Sequence, residues 1–505
     1  MSDTRLAPRH LGYGLYWMWT LLCFQSTVAF MPFGGGLESV LSSHGEFFGS
    51  SLVATVLAHP LWALVFAAHP KFCDRAPWVS ATVTALSIAT LMVVPAGMPL
   101  GLTTLGIVSG VSSAMLDVQW MQALGSLEAN RSGRAICASI CAALLGYQLL
   151  VLLGQVSPVL SVAVIVALPL MSAAALAACY RQKEGALTPE QVRRARHDAR
   201  HIASALVWPI TGSLAFFFVS GCVQEIAMAR ADFNFLHAVM LAFELVAVAL
   251  LYLALRCNKS FEVNKIYALV MALVSAGFLA LPIVINSGTQ AGLTTAVVLI
   301  NVGTMVIDVV VMCAIAHAAF DWQTSGAIVG GLARGITVGM IMAGHTAGGF
   351  LAESIWSGSV DIVVFIVSVT YLLILCCSLY LSHMRGVRED DPQHLADTTE
   401  QVQDQTVEPV DDSAGQYGAD GMQLQANEAA GSPFSQRIEA LAFEYHLSRR
   451  EADVFGLIAR GRSIPYVAGA LAISENTVRS HVRRIYDKFG VHSKQELLDL
   501  VEGLG

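Results

Sequence analysis

Pro158-Val-Leu-Ser-Val-Ala-Val-Ile-Val-Ala-Leu-Pro-Leu-Met-Ser-Ala-Ala-Ala-Leu-Ala-Ala-Cys-Tyr180 runs for 23 residues without a charged side chain and is followed at once by Arg181. About 20 apolar residues in a helix cross the roughly 30 Å of hydrocarbon in a bilayer. Outward from this run the pattern recurs. Twelve spans are expected, near 11–31, 47–68, 77–95, 98–118, 134–154 and 158–180, then near 205–224, 235–255, 264–286, 291–315, 335–356 and 359–382. The composition agrees: the 505 residues are 55% hydrophobic and 13% charged, against roughly 25% charged in soluble domains. A wholly water-soluble chain is excluded, because its domains would lack the charged surface to cover them. The first run is too long for a signal-peptide core and has no convincing small-residue cleavage site, so it is expected to stay as an anchor.

Lys and Arg fix the expected orientation, since cytoplasmic loops retain positive charge during insertion. Arg5 and Arg9, Lys71 and Arg75, Arg131 and Arg134, the run from Arg181 to Arg200, then Arg256, Lys259, Lys265, Arg334 and Arg385 fall on one side, and only Arg230 on the other. Both ends of the bundle are therefore expected in the cytoplasm, in a multi-pass protein of the inner (plasma) membrane.

The basic loop Arg181–His201 divides the spans six and six, and the halves repeat weakly. Gly110-Val-Ser-Ser-Ala-Met-Leu-Asp117 in the fourth span echoes Asn301-Val-Gly-Thr-Met-Val-Ile-Asp308 in the tenth, and Arg134 and Arg334 each open the next span. Two six-helix halves around a cytoplasmic loop resemble the major facilitator superfamily, over most of residues 11–382. That resemblance implies parallel repeats enclosing a midplane cavity. The superfamily's Gly-rich Asp-Arg loop between spans two and three is reduced here to Cys73-Asp74-Arg75.

Ionisable groups inside spans are costly and face a cavity or a partner. Glu244, mid-span in Phe243-Glu244-Leu245, is the ligand-sensing candidate; a carboxyl that ties helices together is the equal alternative. For His59 and His345 an interhelical hydrogen bond is the favoured reading. Asp117 and Asp308 are expected to pair with Arg134 and Arg334, a structural role. Glycines at 335, 339 and 344 would let another helix approach closely. Cys137 and Cys141 share a helical face, but the cysteines read as small apolar side chains without metal spacing.

Residues 386–433 hold one basic and eleven acidic side chains and almost no large apolar residue. Such a stretch cannot offset the entropy of ordering. It reads as a disordered linker of about 40 Å mean span between a membrane domain, 1–385, and a soluble domain, 434–505.

In that last domain, Ser448-Arg-Arg-Glu451 and Ser493-Lys-Gln-Glu496 are capping-box starts, and Gly461 and Gly490 are helix stops. Four short helices follow, with a tight turn at 472–474 between the second and third, a helix-turn-helix arrangement. On the third helix Val478, Val482, Ile485 and Phe489 form one apolar stripe, while Arg479, Arg483, Arg484 and Lys488 lie off it. A helix held on one side and cationic on the other suits the major groove of double-stranded DNA, although a solvated basic face has the same pattern.

Leu447-Ser-Arg-Arg-Glu-Ala-Asp-Val-Phe455, Gly461, Ala468, Leu471 and Ile473-Ser-Glu-Asn-Thr-Val-Arg-Ser-His-Val-Arg-Arg-Ile-Tyr-Asp-Lys-Phe-Gly-Val491 resemble the LuxR-type DNA-binding domain through nearly all of 444–503. The resemblance implies that Arg479, Ser480 and Arg483 read bases, and that Thr477, His481 and Lys488 lie near phosphates or support the helix. It places Glu451, Val478 and Val482 in the core. Tyr466, Arg484 and Lys494 stand where the family more often has Glu, Asn and Arg. Family likeness also suggests a homodimer on DNA through the fourth helix, where Leu497, Leu498 and Val501 form an apolar edge or simply core.

The fold expected is thus all-α, a polytopic bundle with a small helix-turn-helix domain. Two functions fit: a one-component regulator whose bundle senses an unknown small-molecule ligand, or an active secondary transporter with a DNA-binding tail. The reduced 73–75 loop and the scarcity of mid-span charge favour the regulator. With no nucleophile-base motif, phosphate loop or metal spacing, neither an enzyme nor a cofactor is expected.

Overall fold

The computed structural model describes residues 6–27, 37–91, 98–182, 184–228, 233–257, 290–359, 433–445, 447–460, 464–471, 475–491 and 494–502, with single positions 274, 361, 364, 367, 368, 371, 375 and 462. The chain divides into two compact units, Met1–His394 and Leu395–Gly505. All regular elements among the described residues are helices.

In the first unit a 3-10 turn, Pro8–Leu11, leads into α1 (Gly12–Phe24). There follow α2 (Leu37–Ala68), α3 (Pro70–Arg75), α4 (Pro77–Leu91), α5 (Pro99–Gly125), α6 (Ala129–Val156), α7 (Pro158–Arg181) and α8 (Pro189–His197). The second half contains α9 (Ala199–Met228), α10 (Phe233–Cys257), α11 (Gln290–Asp321) and α12 (Gly326–Trp356). Among the described residues seven helices are long and apolar enough to cross a membrane: those containing Ser43–Ala68, Pro99–Gly125, Asn130–Val156, Pro158–Arg181, Phe235–Arg256, Val297–Asp321 and Gly326–Ile355. The first, third and seventh expected spans are helical where they are described, in α1, in α4 and, within α9, over the apolar stretch Ile210–Ile226. The ninth and twelfth spans lie almost entirely outside the described residues, as does the 386–433 stretch apart from Pro433.

Sequence chemistry explains the helix ends and faces. Thr188 and Ser325 accept hydrogen bonds from the backbone N–H groups of Gln191 and Ile328, capping α8 and α12. Leu57, Leu61 and Leu64 on α2, Leu145, Leu149 and Leu152 on α6, and Leu250 and Leu253 on α10 are exposed. Spaced three or four apart, they make outward stripes that suit lipid and would be unfavourable in water. Trp19, Trp120, Tyr13, Tyr147, Phe216 and Phe217 fill the interior. The halves meet where α12 packs on α2 and α5, and where α10 and α11 pack on α6.

Small residues permit these contacts. A Cβ on Gly331 would meet the His59 carbonyl at 2.9 Å, one on Gly348 would meet the Cys222 carbonyl at 2.5 Å, and one on Gly344 would collide with the Phe218 carbonyl. Backbone cannot retreat as a flexible side chain can. Gly344→Ala is therefore expected to cost about 1–3 kcal/mol through overpacking, while Gly339→Ala, whose Cβ would lie 3.5 Å from a Val56 methyl, is expected to be nearly neutral. Thermal unfolding of the full chain in detergent separates the two; equal midpoints would refute the close approach of α9 to α12.

The second unit contains α13 (Pro433–Glu444), α14 (Arg449–Ile458), α15 (Ile464–Leu471), α16 (Glu475–Phe489) and α17 (Lys494–Glu502). Its core joins Val454, Phe455 and Ile458 of α14 to Val467 of α15, Val478, Val482, Ile485 and Phe489 of α16, and Leu497 and Val501 of α17. Gly490 adopts φ 67°, a left-handed conformation that ends α16 without Cβ strain.

Candidate nucleic-acid interface and buried ionic cluster

The apolar stripe of α16 is buried, as its spacing requires, which turns the other side of the helix outward. Ser480 and Arg483 are exposed, Thr477, His481 and Arg484 are half-buried, and Arg479 lies in the same helix. The exposed side thus presents a hydroxyl and guanidinium chemistry capable of hydrogen bonding to base edges and phosphates.

Lys488 is placed differently from the other cations. Its Nζ donates to Glu451 Oε2 at 2.8 Å. The same carboxylate oxygen accepts from the Ser448 N–H at 2.7 Å, while the Ser448 Oγ accepts from the Glu451 N–H at 3.3 Å. One buried carboxylate therefore caps α14 and ties it to the end of α16. Burial opposes ionisation of Glu451, but the hydrogen bonds from Lys488 and Ser448 outweigh it and hold the carboxyl below its usual range.

On α17, Leu497 and Val501 are core residues and Leu498 is half-buried, so most of the expected apolar edge is used within the unit. Tyr466 is exposed, with the Arg462 guanidinium 4.9 Å from its ring centroid.

In the first unit, charge converges where the halves meet. His59 on α2 faces Asp117 on α5, Nε2 to Oδ2 at 3.0 Å. Tyr13 on α1 donates to the other oxygen of Asp117 at 3.2 Å. Arg334 on α12 donates to Asp308 on α11 at 2.6 Å, and its Nε lies 3.6 Å from Asp117 Oδ2. Arg334 thus pairs with both aspartates. Arg134, the expected partner of Asp117, instead donates to the Asn130 carbonyl of its own helix. The repeat symmetry of the sequence had suggested two equivalent pairs, but His59 and Arg334 reach Asp117 from other helices and leave Arg134 to cap a local carbonyl. His345 hydrogen-bonds Glu225 at 3.0 Å, the interhelical role expected of it.

Glu244 is buried on α10 with its Oε2 unpartnered among the described residues. Tyr147 of α6 and Asp308 of α11 lie within electrostatic range of it.

Sequence reasoning missed a second polar hub. Glu184, just past α7, accepts from Arg9 at 2.8 Å and Arg131 at 3.3 Å and meets His10 Nε2 at 3.0 Å. The Arg9 hydrogen bond, followed by that of His10, holds the Glu184 carboxyl down at about 2 despite partial burial. His10, Cys179 and Glu184 have ligand atoms within 4.8 Å of one another, yet they make a poor cation site. His10 Nδ1 accepts from the Ala7 N–H, which leaves the ring proton on Nε2, and two guanidinium groups already neutralise the carboxylate. The hub pins the chain before α1 to the loop after α7. Its signal lay only in three basic residues near one acid, far apart in sequence.

Comparison with known proteins matches the geometry of both units. Residues 445–501 match the model of the bacterial regulatory proteins, luxR family (GerE). The chain is 40% identical over 58 residues to the HTH-type transcriptional regulator MalT of Serratia proteamaculans, covering 12% of this chain and 6% of MalT. It is 46% identical over 48 residues to the probable transcriptional regulatory protein NarL of Mycobacterium tuberculosis, covering 10% of this chain and 22% of NarL. The chain therefore spans a minor part of each of these relatives. In fold it is similar to a bacterial homologue of the iron transporter ferroportin in its outward-facing state, with a TM-score of 0.52 and 13% identity over 74% of this chain and 96% of that one. It is also similar to the human organic anion transporter MFSD10 (TETRAN), with a TM-score of 0.50 and 13% identity over 74% and 100% of the two chains. A helical chain with a transporter-like fold and helices able to cross a membrane thus carries a LuxR-type helix-turn-helix domain at residues 445–501.

Proposed function

We propose that the chain is a membrane-bound one-component transcriptional regulator, in which the transporter-like bundle responds to a small ligand and the tethered helix-turn-helix domain binds promoter DNA as a homodimer. The observation that carries this reading is the union in one chain of a transporter-type fold and a LuxR-type domain. In it, Arg479, Ser480 and Arg483 read bases, Thr477, His481 and Arg484 support phosphate contacts, and both termini lie in the cytoplasm of a cell whose plasma membrane holds the bundle. The basic loops on one side of the spans support that orientation.

Glu244 is the ligand-sensing residue in this reading. An unpartnered carboxyl inside a membrane protein must be protonated, paired or ligand-bound to be tolerated, and a ligand that satisfies it in one arrangement of the halves shifts their equilibrium. Glu244→Gln is expected to change promoter output in cells while operator binding by residues 434–505 stays as in the wild type. A normally inserted mutant with a wild-type transcriptional response would assign Glu244 to packing. Ligand uptake by proteoliposomes of the full chain would favour transport as the primary activity.

A further inference from the structure

On α6, Gly133, Cys137 and Cys141 succeed one another at steps of four residues and share a face of the helix. Cys313 of α11 packs onto that face. A Cβ on Gly133 would stand 3.6 Å from the Cys313 Sγ, in ordinary contact, and the Cys137 and Cys313 thiols share a hydrogen bond. One thiol belongs to the first half of the bundle and the other to the second. Cys137 is 0% exposed and Cys313 4%, while Cys141 is half-buried one turn further along α6. Measured from the start of α6 and from the end of α11, both thiols lie about two turns, about 12 Å, inside the bundle.

Thiol sulfur is a soft ligand, and the number of ligands on offer decides among soft cations. Zinc in a closed site takes four ligands and iron–sulfur clusters take four cysteines, whereas copper(I) and silver(I) accept two sulfurs in line. Among the described residues the one set of three His, Cys, Asp or Glu ligand atoms lying within 4.8 Å of one another is that of His10, Cys179 and Glu184. Cys141 therefore does not complete the pair, and the site offers two sulfurs. Charge narrows the choice further. The polar side chains that act most strongly on Cys137 are the thiols of Cys313 and Cys141, and an uncompensated charge in such surroundings is costly. A monovalent cation that replaces one thiol proton leaves the net charge at zero and keeps the second sulfur as a neutral donor.

We propose that Cys137 and Cys313 form a binding site for one monovalent soft cation, of the copper(I) class, held between the two halves of the bundle. On binding, the S–H bond of one thiol breaks, its proton leaves to water, and two sulfur–metal bonds form; no oxidation state changes. A thiol is a weak donor and a weak acceptor, so the bridge that replaces this hydrogen bond is the stronger link. The bound ion ties α6 to α11 and favours the present arrangement of the halves over any in which the thiols part. Cys141 offers an entering ion a first sulfur on the same face. The site is separate from Glu244 and binds its ion whether or not the tethered domain reads it. Far apart in sequence, the two cysteines have no metal spacing; the fold alone makes them a pair.

The test titrates the reduced full chain in lipid nanodiscs with copper(I), without oxygen, against a chromogenic copper(I) chelator. One equivalent is expected to be held tightly by the wild type and lost in Cys137→Ala and in Cys313→Ala. It should be kept when the adjacent Cys376 and Cys377 are both replaced by alanine. Silver(I), which does not oxidise thiols, should displace the copper, and one equivalent of it should raise the thermal midpoint of the wild type but of neither single variant. X-ray absorption of the wild type with one equivalent bound should show two sulfur neighbours. Retention of the tight equivalent by either single variant, its loss in the Cys376→Ala/Cys377→Ala double variant, or three or more sulfurs about the metal overturns the proposal. So does a copper signal that silver cannot displace, which would mark oxidation of the thiols. If an alanine variant does not insert, serine at the same position, near to cysteine in size but with a hard oxygen, decides in its place.

Discussion

Arg334→Met is expected to destabilise the membrane unit by about 3–5 kcal/mol, the usual cost of removing one partner from a buried ion pair. The reason is the company that Arg334 keeps. Asp308, 7% exposed, has its 2.6 Å bond to this guanidinium, and Asp117, 2% exposed, has its second cation there. Methionine fills much of the volume but leaves Asp308 either charged and unpaired or forced to take up a proton. Adding Asp308→Asn should recover most of the loss, since it removes the orphaned charge together with its former partner. Heat-induced unfolding of the full chain in detergent, followed for the wild type, both single mutants and the double, gives the coupling energy. A double mutant no more stable than Arg334→Met would show that the guanidinium stabilises by packing and not by charge.

This cluster also shows where sequence reading stops. Asp308 and Arg334 are 26 residues apart, on consecutive helices whose spans were legible from hydrophobicity, and their pairing followed from the shared end of the bundle. His59 is 58 residues from Asp117, and nothing local in Ala58-His59-Pro60 names its partner. Symmetry between the halves pointed to Arg134 for that role, but a weak repeat preserves helix positions better than it preserves charge partners. The glycines were a truer guide, because a missing side chain constrains what can approach whatever the partner's identity. Of the three named, Gly344 does admit the backbone of α9 and Gly335 the Pro60 ring of α2, whereas Gly339 makes only ordinary contact with Val56. In the second unit the α16 stripe was readable from a spacing of three and four residues, as was the Ser448–Glu451 box. Lys488 was not, because its partner is 37 residues earlier and its own position among arginines suggests a phosphate contact.

That difference leads to opposite expectations for two cations on one helix. Lys488→Met is expected to cost the helix-turn-helix unit about 2–3 kcal/mol, the range for losing a hydrogen bond to a charged group and leaving Glu451 buried with its cap alone. The sum stays below that of a fully buried pair because the Lys488 side chain is 36% exposed and part of its charge is already met by water. Glu451 gives the sign of the pH dependence. Its carboxyl is held below the ordinary range, so the wild-type unit has this stability above about pH 4.3, the value of an unperturbed glutamate, and loses it as the pH falls through the lower, folded value. Lys488→Met should shrink that acid-dependent loss, and at neutral pH and saturating folding conditions its operator affinity should keep the wild-type salt slope. Arg483→Ala should do the reverse: little change in denaturant midpoint, about 1–3 kcal/mol lost in operator binding, and relaxed preference at the base it contacts. Urea unfolding and salt-dependent DNA binding of residues 434–505, run in parallel on both mutants, distinguish the roles. If Lys488→Met leaves the urea midpoint unmoved and lowers the salt slope by about one, the ammonium serves a phosphate and its bond to Glu451 adds little to the fold.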